Sequence, residues 1–393
     1  MRSDGRLLGP GGIAFGLLAA WVALPPLELR TSIGPLLLGA AGVGAGALAL
    51  RTGDTRRGRF AVAAGLLGGG LGVLATHSST PHLEVVVGWA ALLAAMLRYA
   101  TPLLFAAIGG MISERSGVVN IGLEGMMLTG AFFGILGADK GGSWAVGVLV
   151  GMVAGGALAL VYAVWAIHLR VDQIIGGTAM NFIALGLTGY LFVEIYGDQG
   201  TPSGISAVPD VHLSFLRSVP FLYGSIGQLN LLTWVALGLV VLSSAVVFRT
   251  PLGLRLRAVG EHPLAAETVG VSVFATRYTA VVVSGMLAAA GGAYLSVGFV
   301  DQFNQNMTAG RGFIALAALI FGKWRPYGAA GACLLFGFST ALAQRLAVYS
   351  QHGGIQIDVL FQALPYVLTL VAVAGVIGRS IPPAAVGTPY TRQ

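Results

Sequence analysis

Two polar interruptions and one basic segment hold the residue types in this chain that could do chemistry. The first interruption is Ser113-Glu114-Arg115-Ser116-Gly117-Val118-Val119-Asn120-Ile121-Gly122-Leu123-Glu124-Gly125, set between two apolar runs. Charges near hydrocarbon cost about 2.5–3.5 kcal/mol each at the midplane on insertion scales, so they pair, reach an interface or line water. Glu114 and Arg115 read as the cytoplasmic end of a span. Glu124 falls inside an apolar run and reads equally as a satisfied structural carboxylate or as a residue of a solute path. Asn120 either lines a cavity or caps the following helix. The second interruption, Asp301 to Gly312, offers amides, a carboxylate and an arginine. Asn304 and Asn306 are its candidates for contact with a sugar hydroxyl or a base edge, although an ordinary polar loop has the same composition. Asn181, within a span, and Gln173 at its approach are candidates of the same sort.

The third segment runs from Thr250 to Gly270 and contains Arg255, Arg257, Glu261, His262, Pro263 and Glu267. Pro263 fits the first turn of a helix and Gly270 fits its end. A short helix held between two spans has the shape needed to dock into a separate protein, and many membrane proteins carry such loops. No G-x-x-x-x-G-K-[ST] phosphate loop is present: the Gly322-Lys323 pair has Ala317 where the leading glycine belongs. There is no H-E-x-x-H motif, no two histidines stand at metal-ligand spacing, and there is no G-x-S-x-G elbow. The sequence therefore offers no catalytic residue, no metal site and no bound cofactor.

The elements that position these segments are transmembrane helices. Of 393 residues, 56% are hydrophobic and 9% charged, against about 25% charged in soluble domains. Apolar runs of helical length fall near 10–24, 32–50, 60–76, 87–113, 121–137, 144–168, 175–197, 230–248, 278–299, 312–322, 328–347 and 357–377. The run at 312–322 is too short to cross about 30 Å of hydrocarbon by itself. The fold class is an all-α integral membrane protein, a polytopic transmembrane helix bundle of about 10–12 spans. Sixty glycines suit close helix packing, and a GC-rich genome would also supply them. The lone Cys333 excludes an internal disulfide.

The net charge of +7 comes from arginines in short loops, the positive-inside pattern, and not from a nucleic-acid surface. Arg51, Arg56, Arg57 and Arg59 mark one cytoplasmic loop, and Arg249, Arg255, Arg257 and Arg277 another. The loop at 198–229 belongs outside, and both termini fall in the cytoplasm. The first span is read as a retained helix rather than a cleaved signal peptide. Two blocks, about 99–197 and 278–377, each carry a Gly pair (Gly109 and Gly110, or Gly291 and Gly292), a polar interruption and an apolar run opening near glycine. That is the pattern of an inverted repeat, with chance resemblance as the alternative in so glycine-rich a chain.

The run from Ala100 through S-E-R-S-G-V-V-N-I-G-L-E-G-M-M-L, then R-A-V-G-E-H-P-L-A-A-E-T-V-G-V, then G-R-G-F-I-A-L-A-A-L-I-F-G-K-W from Gly310 to Trp324, resembles a known family. It is that of the permease subunits of bacterial ABC-type importers for nucleosides and simple sugars, within the branched-chain amino-acid permease superfamily. The resemblance covers about residues 90–377 and implies a permease core over 81–377. That core follows an N-terminal extension of about three helices, 1–80, and precedes a cytoplasmic tail, 378–393. It implies a coupling helix resting on an ATPase subunit, carried by Arg257, Gly260, Glu261, His262, Pro263, Ala265, Ala266 and Gly270. His262 stands where the family often has asparagine. The implied partners are an ABC ATPase subunit that uses the ATP, a second permease subunit and an extracytoplasmic substrate-binding lipoprotein, in a bacterial cell membrane. The expected function is ATP-driven import of nucleosides by alternating access. Simple sugars, branched-chain amino acids or a self-sufficient secondary carrier are the alternatives. A secondary carrier usually sets several ionisable groups deep in its spans, where only Glu124, Glu194 and Arg345 come close here.

Overall fold

The computed structural model describes residues 5–22, 31–77, 88–350 and 380–391. The expected span at 357–377 lies outside them. Within them the chain is helical except for connecting loops and one two-stranded antiparallel ribbon, β1 (Asp210–His212) against β2 (Gln228–Asn230). The chain divides into two compact units, one drawn from Met1–Leu92 with Leu342–Gly378, the other from Leu93–Ala341 with Arg379–Gln393.

In the first unit, α1 (Gly5–Val22), α2 (Ile33–Arg51) and α3 (Thr55–His77) pack on one another through glycines. Gly16 faces the Ala64 backbone, Gly39 faces Gly69, and Gly42 faces the Gly12 carbonyl, leaving no room for a Cβ. Such contacts let van der Waals attraction act between backbones where lipid supplies no hydrophobic drive.

The second unit holds α4 (Trp89–Arg115), α5 (Leu123–Gly141), α6 (Trp144–Ala163), α7 (Gln173–Tyr196), α8 (Pro220–Ile226), α9 (Leu231–Arg249) and α10 (Pro251–Glu261). It continues with α11 (Pro263–Thr268), α12 (Val273–Ala293), α13 (Arg311–Phe321) and α14 (Pro326–Ser350). α4 begins and α14 ends beyond its limits. Local chemistry sets several starts. Asp172 accepts the amides of Ile174 and Ile175, Asn230 that of Leu232, and Ser272 that of Ala275, each satisfying N–H groups a helix leaves free at its first turn. Pro251 and Pro263 open α10 and α11 at positions where no amide is needed.

Seven helices among the described residues are long and apolar enough to cross a membrane: α2, α4, α6, α7, α9, α12 and the first part of α14, with α6 and α12 counted through their terminal π turns. The expected 10–12 included four more that the structure also forms as helices. α1 has only a short apolar stretch, Leu8–Ala20, and α3 opens on Arg56, Arg57 and Arg59. α5 carries Glu124, Asp139 and Lys140. It is buried along most of its length, so protein rather than lipid surrounds it. α13, at 11 residues, rises about 16 Å.

Helices α4 and α12 are the most buried spans of the unit and cross with exchanged partners. Gly109 meets the Ser284 carbonyl and the Leu287 side chain, and Gly291 meets the Pro102 carbonyl and the Phe105 side chain. Pro102, Phe105 and Gly109 have the same spacing as Ser284, Leu287 and Gly291, so the contact reads identically from either helix. Each long helix is followed by a break and then by a helix that starts at or beside a glycine, α5 after Gly122 and α13 after Gly310. The matched contacts are consistent with the internal repeat the two glycine pairs suggest.

Candidate functional site

The two breaks meet at the start of α5 and α13. Gly310 takes φ of +84° at the N-cap of α13, a conformation that glycine adopts without penalty. A Cβ on Gly312 would lie 2.5 Å from the Glu124 Cα, so the two helix N-termini abut. Glu124, in the first turn of α5, places its carboxylate across the gap: Gly310 N–H donates to Oε1 at 2.8 Å and Gly312 N–H to Oε2 at 2.6 Å. Each N-terminus carries the positive end of a helix dipole, equivalent to about half a charge, and one carboxylate answers both.

Asn181 of α7 braces the same turn. Its Oδ1 accepts the Gly125 amide at 2.8 Å and its Nδ2 donates to the Ile121 carbonyl at 3.0 Å. Asn120 does not cap α5, as one reading of the sequence had it: the N-cap is Gly122, with no side-chain bond. Asn120 instead points across to α12, donating to Ser284 Oγ at 2.9 Å. Gln173 accepts the Val119 amide at 2.7 Å, and the Tyr162 hydroxyl donates to the Val119 carbonyl. Ser113 donates to the Val118 carbonyl at 2.8 Å. Side chains of the bundle thus meet the Val118, Val119 and Ile121 backbone groups of the first break, as non-helical chain inside a membrane protein requires.

Asn304 and Asn306 stand apart from this cluster. Both are exposed, Asn306 has φ of +56°, and no hydrogen bond joins either side chain to Asn120, Glu124 or Asn181 among the described residues. Partial burial, and secondarily Asp210, raise the nearby Asp301 carboxyl above its ordinary range. Glu194 is exposed on α7.

At its other end, α13 is held by the same break. The Trp324 indole N–H donates to the Glu114 carboxylate, and the Arg115 guanidinium donates twice to the Trp324 carbonyl, at 3.0 and 2.8 Å. Residues 114–124 therefore grip the short helix beyond its last turn through Glu114 and Arg115, and at its N-cap and first turn through Glu124. Arg115 also lies over the Phe248 ring, 5.5 Å from its centroid, as does Arg257 at 5.2 Å.

The α10–α11 pair rests on this end. Gly260 lies against the Arg115 carbonyl, where a Cβ would overlap backbone. His262 is the exposed N-cap of α11, without a side-chain cap bond. Glu261, Ala265 and Thr268 are exposed, with Leu264 44% and Val269 77% accessible. Ala266 departs from the expectation of a partner contact: it is 3% accessible, packed inward with Val259, Val273 and Tyr390. Arg277 likewise departs from its reading as a loop charge. It lies in the first turns of α12, 1% accessible, donating through Nε to the Ser116 carbonyl at 3.2 Å and through Nη1 to the Thr388 carbonyl at 3.1 Å. Sequence reasoning missed the Arg277 contacts, Ser284 and the Glu114–Trp324 pair because each hydrogen-bond partner lies more than 100 residues away.

The chain is a multi-pass helical membrane protein whose two helix breaks meet at the starts of α5 and α13. Residues 92–374 match the family described as "Branched-chain amino acid transport system / permease component", and the chain belongs to that family. It is 39% identical over 319 residues to the guanosine ABC transporter permease protein NupQ of Bacillus subtilis, covering 79% of this chain and 99% of that one. It is 39% identical over 313 residues to the nucleoside ABC transporter permease protein NupC of Lactococcus lactis, covering 77% and 97%. A Haloferax volcanii protein, TsgC13, provisionally named a glucose ABC transporter permease, is 37% identical over 260 residues, covering 65% and 78%. No solved structure matches.

Proposed function

We propose that this chain is the membrane-spanning permease of an ATP-driven importer for nucleosides, working with a separate ABC ATPase subunit, a second permease subunit and an extracytoplasmic binding lipoprotein. The observation that carries the solute class is the 39% identity, over nearly their whole lengths, to two permeases named for guanosine and for nucleosides. The α10–α11 face lies in the cytoplasm on this reading, consistent with Arg249, Arg255 and Arg257 beside it. Glu261, His262, Leu264, Ala265 and Val269 meet the ATPase, and Arg257, Gly260, Pro263 and Gly270 set the shape of the pair. ATP is bound and hydrolysed by the partner, and this chain supplies no cofactor site.

The coupling route follows the contacts already described. Force on α11 passes through Gly260 into residues 115–117, which hold Trp324 through Arg115 and lie next to Glu114. Glu124, at the far end of the same break, holds the N-terminus of α13. A shift of the docking face therefore reaches both ends of one short helix, while α4 and α12 form the two-fold pivot. Asn120, Glu124 and Asn181 act on the solute path by fixing its walls, and Asn304 and Asn306 are free to touch solute at its mouth.

Uptake of labelled guanosine by source cells with and without the gene, challenged with excess uridine, glucose, ribose or leucine, tests the solute class. Gene-dependent uptake displaced by uridine alone supports nucleosides. Displacement by glucose favours the second reading, a sugar permease, which rests on the 37% identity to the Haloferax volcanii protein.

A further inference from the structure

The C-terminal segment is more than a tail. Residues 380–391 lie along the inner side of the α10–α11 pair and bind it at four points. Ala385 N–H donates to the Gly260 carbonyl at 2.9 Å, and Ala384 N–H to the Glu261 carboxylate at 3.2 Å. The Tyr390 hydroxyl donates to the Glu267 carboxylate, and its ring completes a buried apolar cluster with Val259, Ala266 and Val273. The same segment is tied to the rest of the unit. Gly387 N–H donates to the Gly117 carbonyl at 3.2 Å, and Ser380 Oγ to the Ile320 carbonyl, at the end of α13, at 2.9 Å.

Arg277 joins the two sets. Its buried guanidinium donates to Ser116 in the first break and to Thr388 in the segment, and stands 5.9 Å from the centre of the Tyr390 ring. None of the ion pairs among the described residues involves Arg277. Its Nε and Nη1 are met by carbonyls and its charge faces an aromatic ring, while the buried Nη2 has no hydrogen-bond partner among the described residues. The phenolic ring also packs edge-on against Phe274, 5.3 Å between centroids.

The placement discriminates between two roles. A segment that blocks docking would cover the outer face of α11, yet Leu264 and Val269 there remain open. It covers the inner face, where α11, six residues long, buries only Ala266. So short a helix has little cohesion of its own.

We propose that residues 380–391 form a strap that fixes the inner face of the α10–α11 pair to the first helix break and to α13, with Arg277 and Tyr390 as its positioning residues. The strap makes the docking helices and the break move as one body. This inference rests on the coupling reading above.

The test uses the assembled importer purified with its partner subunits, reading guanosine transported, ATP hydrolysed and ATPase subunit retained. Tyr390→Ala and Arg277→Lys are expected to lower guanosine moved per ATP about tenfold, within what residues on such a network contribute, while hydrolysis and retained ATPase change less than about twofold. Tyr390→Phe keeps the ring and removes the hydroxyl with its bond to Glu267, so it assembles even where the alanine variant does not, and is expected to lose part of the ratio. A wild-type ratio in Tyr390→Phe, together with one in Arg277→Lys, overturns the strap. Leu264→Asp on the outer face tests the underlying reading separately: it should lose the ATPase subunit, and full retention with normal transport would sink the coupling assignment while leaving the strap contacts as they stand.

Discussion

Glu124 and Gly312 lie 188 residues apart in the chain, and the carboxylate of the first accepts the backbone N–H of the second at 2.6 Å. With Gly310 on the other oxygen, this contact holds two helix N-termini against each other inside the bundle. Its physical content is simple: two like dipole ends repel unless an anion lies between them.

Removing that anion should be costly. Glu124→Ala leaves one buried and one partly buried amide without an acceptor, at about 1–3 kcal/mol for the buried one, whereas Glu124→Gln keeps one carbonyl oxygen for one of them. Thermal unfolding of the detergent-purified protein should rank wild type above Gln above Ala, with uptake falling in the same order. Equal stability for all three would show that the carboxylate does not hold the helices together.

The close approach at Gly312 makes a second prediction. Gly312→Ala drives a methyl group into the Glu124 backbone, which cannot rotate away as a side chain would, and overpacking of this kind costs about 1–3 kcal/mol. Gly331 in α14 has nothing within 4 Å of where its Cβ would stand, so Gly331→Ala should be neutral or gain up to about 1 kcal/mol from helix propensity. Expression and melting temperature of the pair decide it, and equal tolerance at both positions would contradict the packing described.

How much of this was legible in the sequence follows from where each partner lies. The apolar runs located the helices because a span must be apolar along its own length, and the unusual cost of Glu124 was visible for the same reason. What held Glu124 was not, since backbone amides of distant glycines leave no signature in side-chain type. Ala266 was expected on the docking surface because a six-residue helix has too few turns to reveal its buried side. Arg277 passed for a loop charge because α12 begins four residues before it, at Val273, and because its acceptors are carbonyls rather than a carboxylate. The two glycine pairs were legible in the sequence, and their reciprocal contacts at Gly109 and Gly291 were not, since they depend on which helices pack together.

The Glu114–Trp324 bond allows a third prediction, tested by a double-mutant cycle. Trp324→Phe leaves a buried carboxylate without its indole donor and should destabilise by about 1–3 kcal/mol. In a Glu114→Gln background the same change should cost less, giving a coupling energy of about 0.5–3 kcal/mol. Strict additivity would mean that the two side chains do not act together and that Glu114 plays no part in holding that end of α13.

The most direct test of the central claim is solute accumulation in liposomes. The chain is reconstituted with its co-purified partner subunits, with labelled guanosine and the binding protein on one side and ATP on the ATPase side. Concentrative uptake that requires ATP hydrolysis and persists when ion gradients are collapsed is the predicted result. Uptake that proceeds without ATP and follows an imposed proton or sodium gradient would contradict the account and make the chain a secondary carrier.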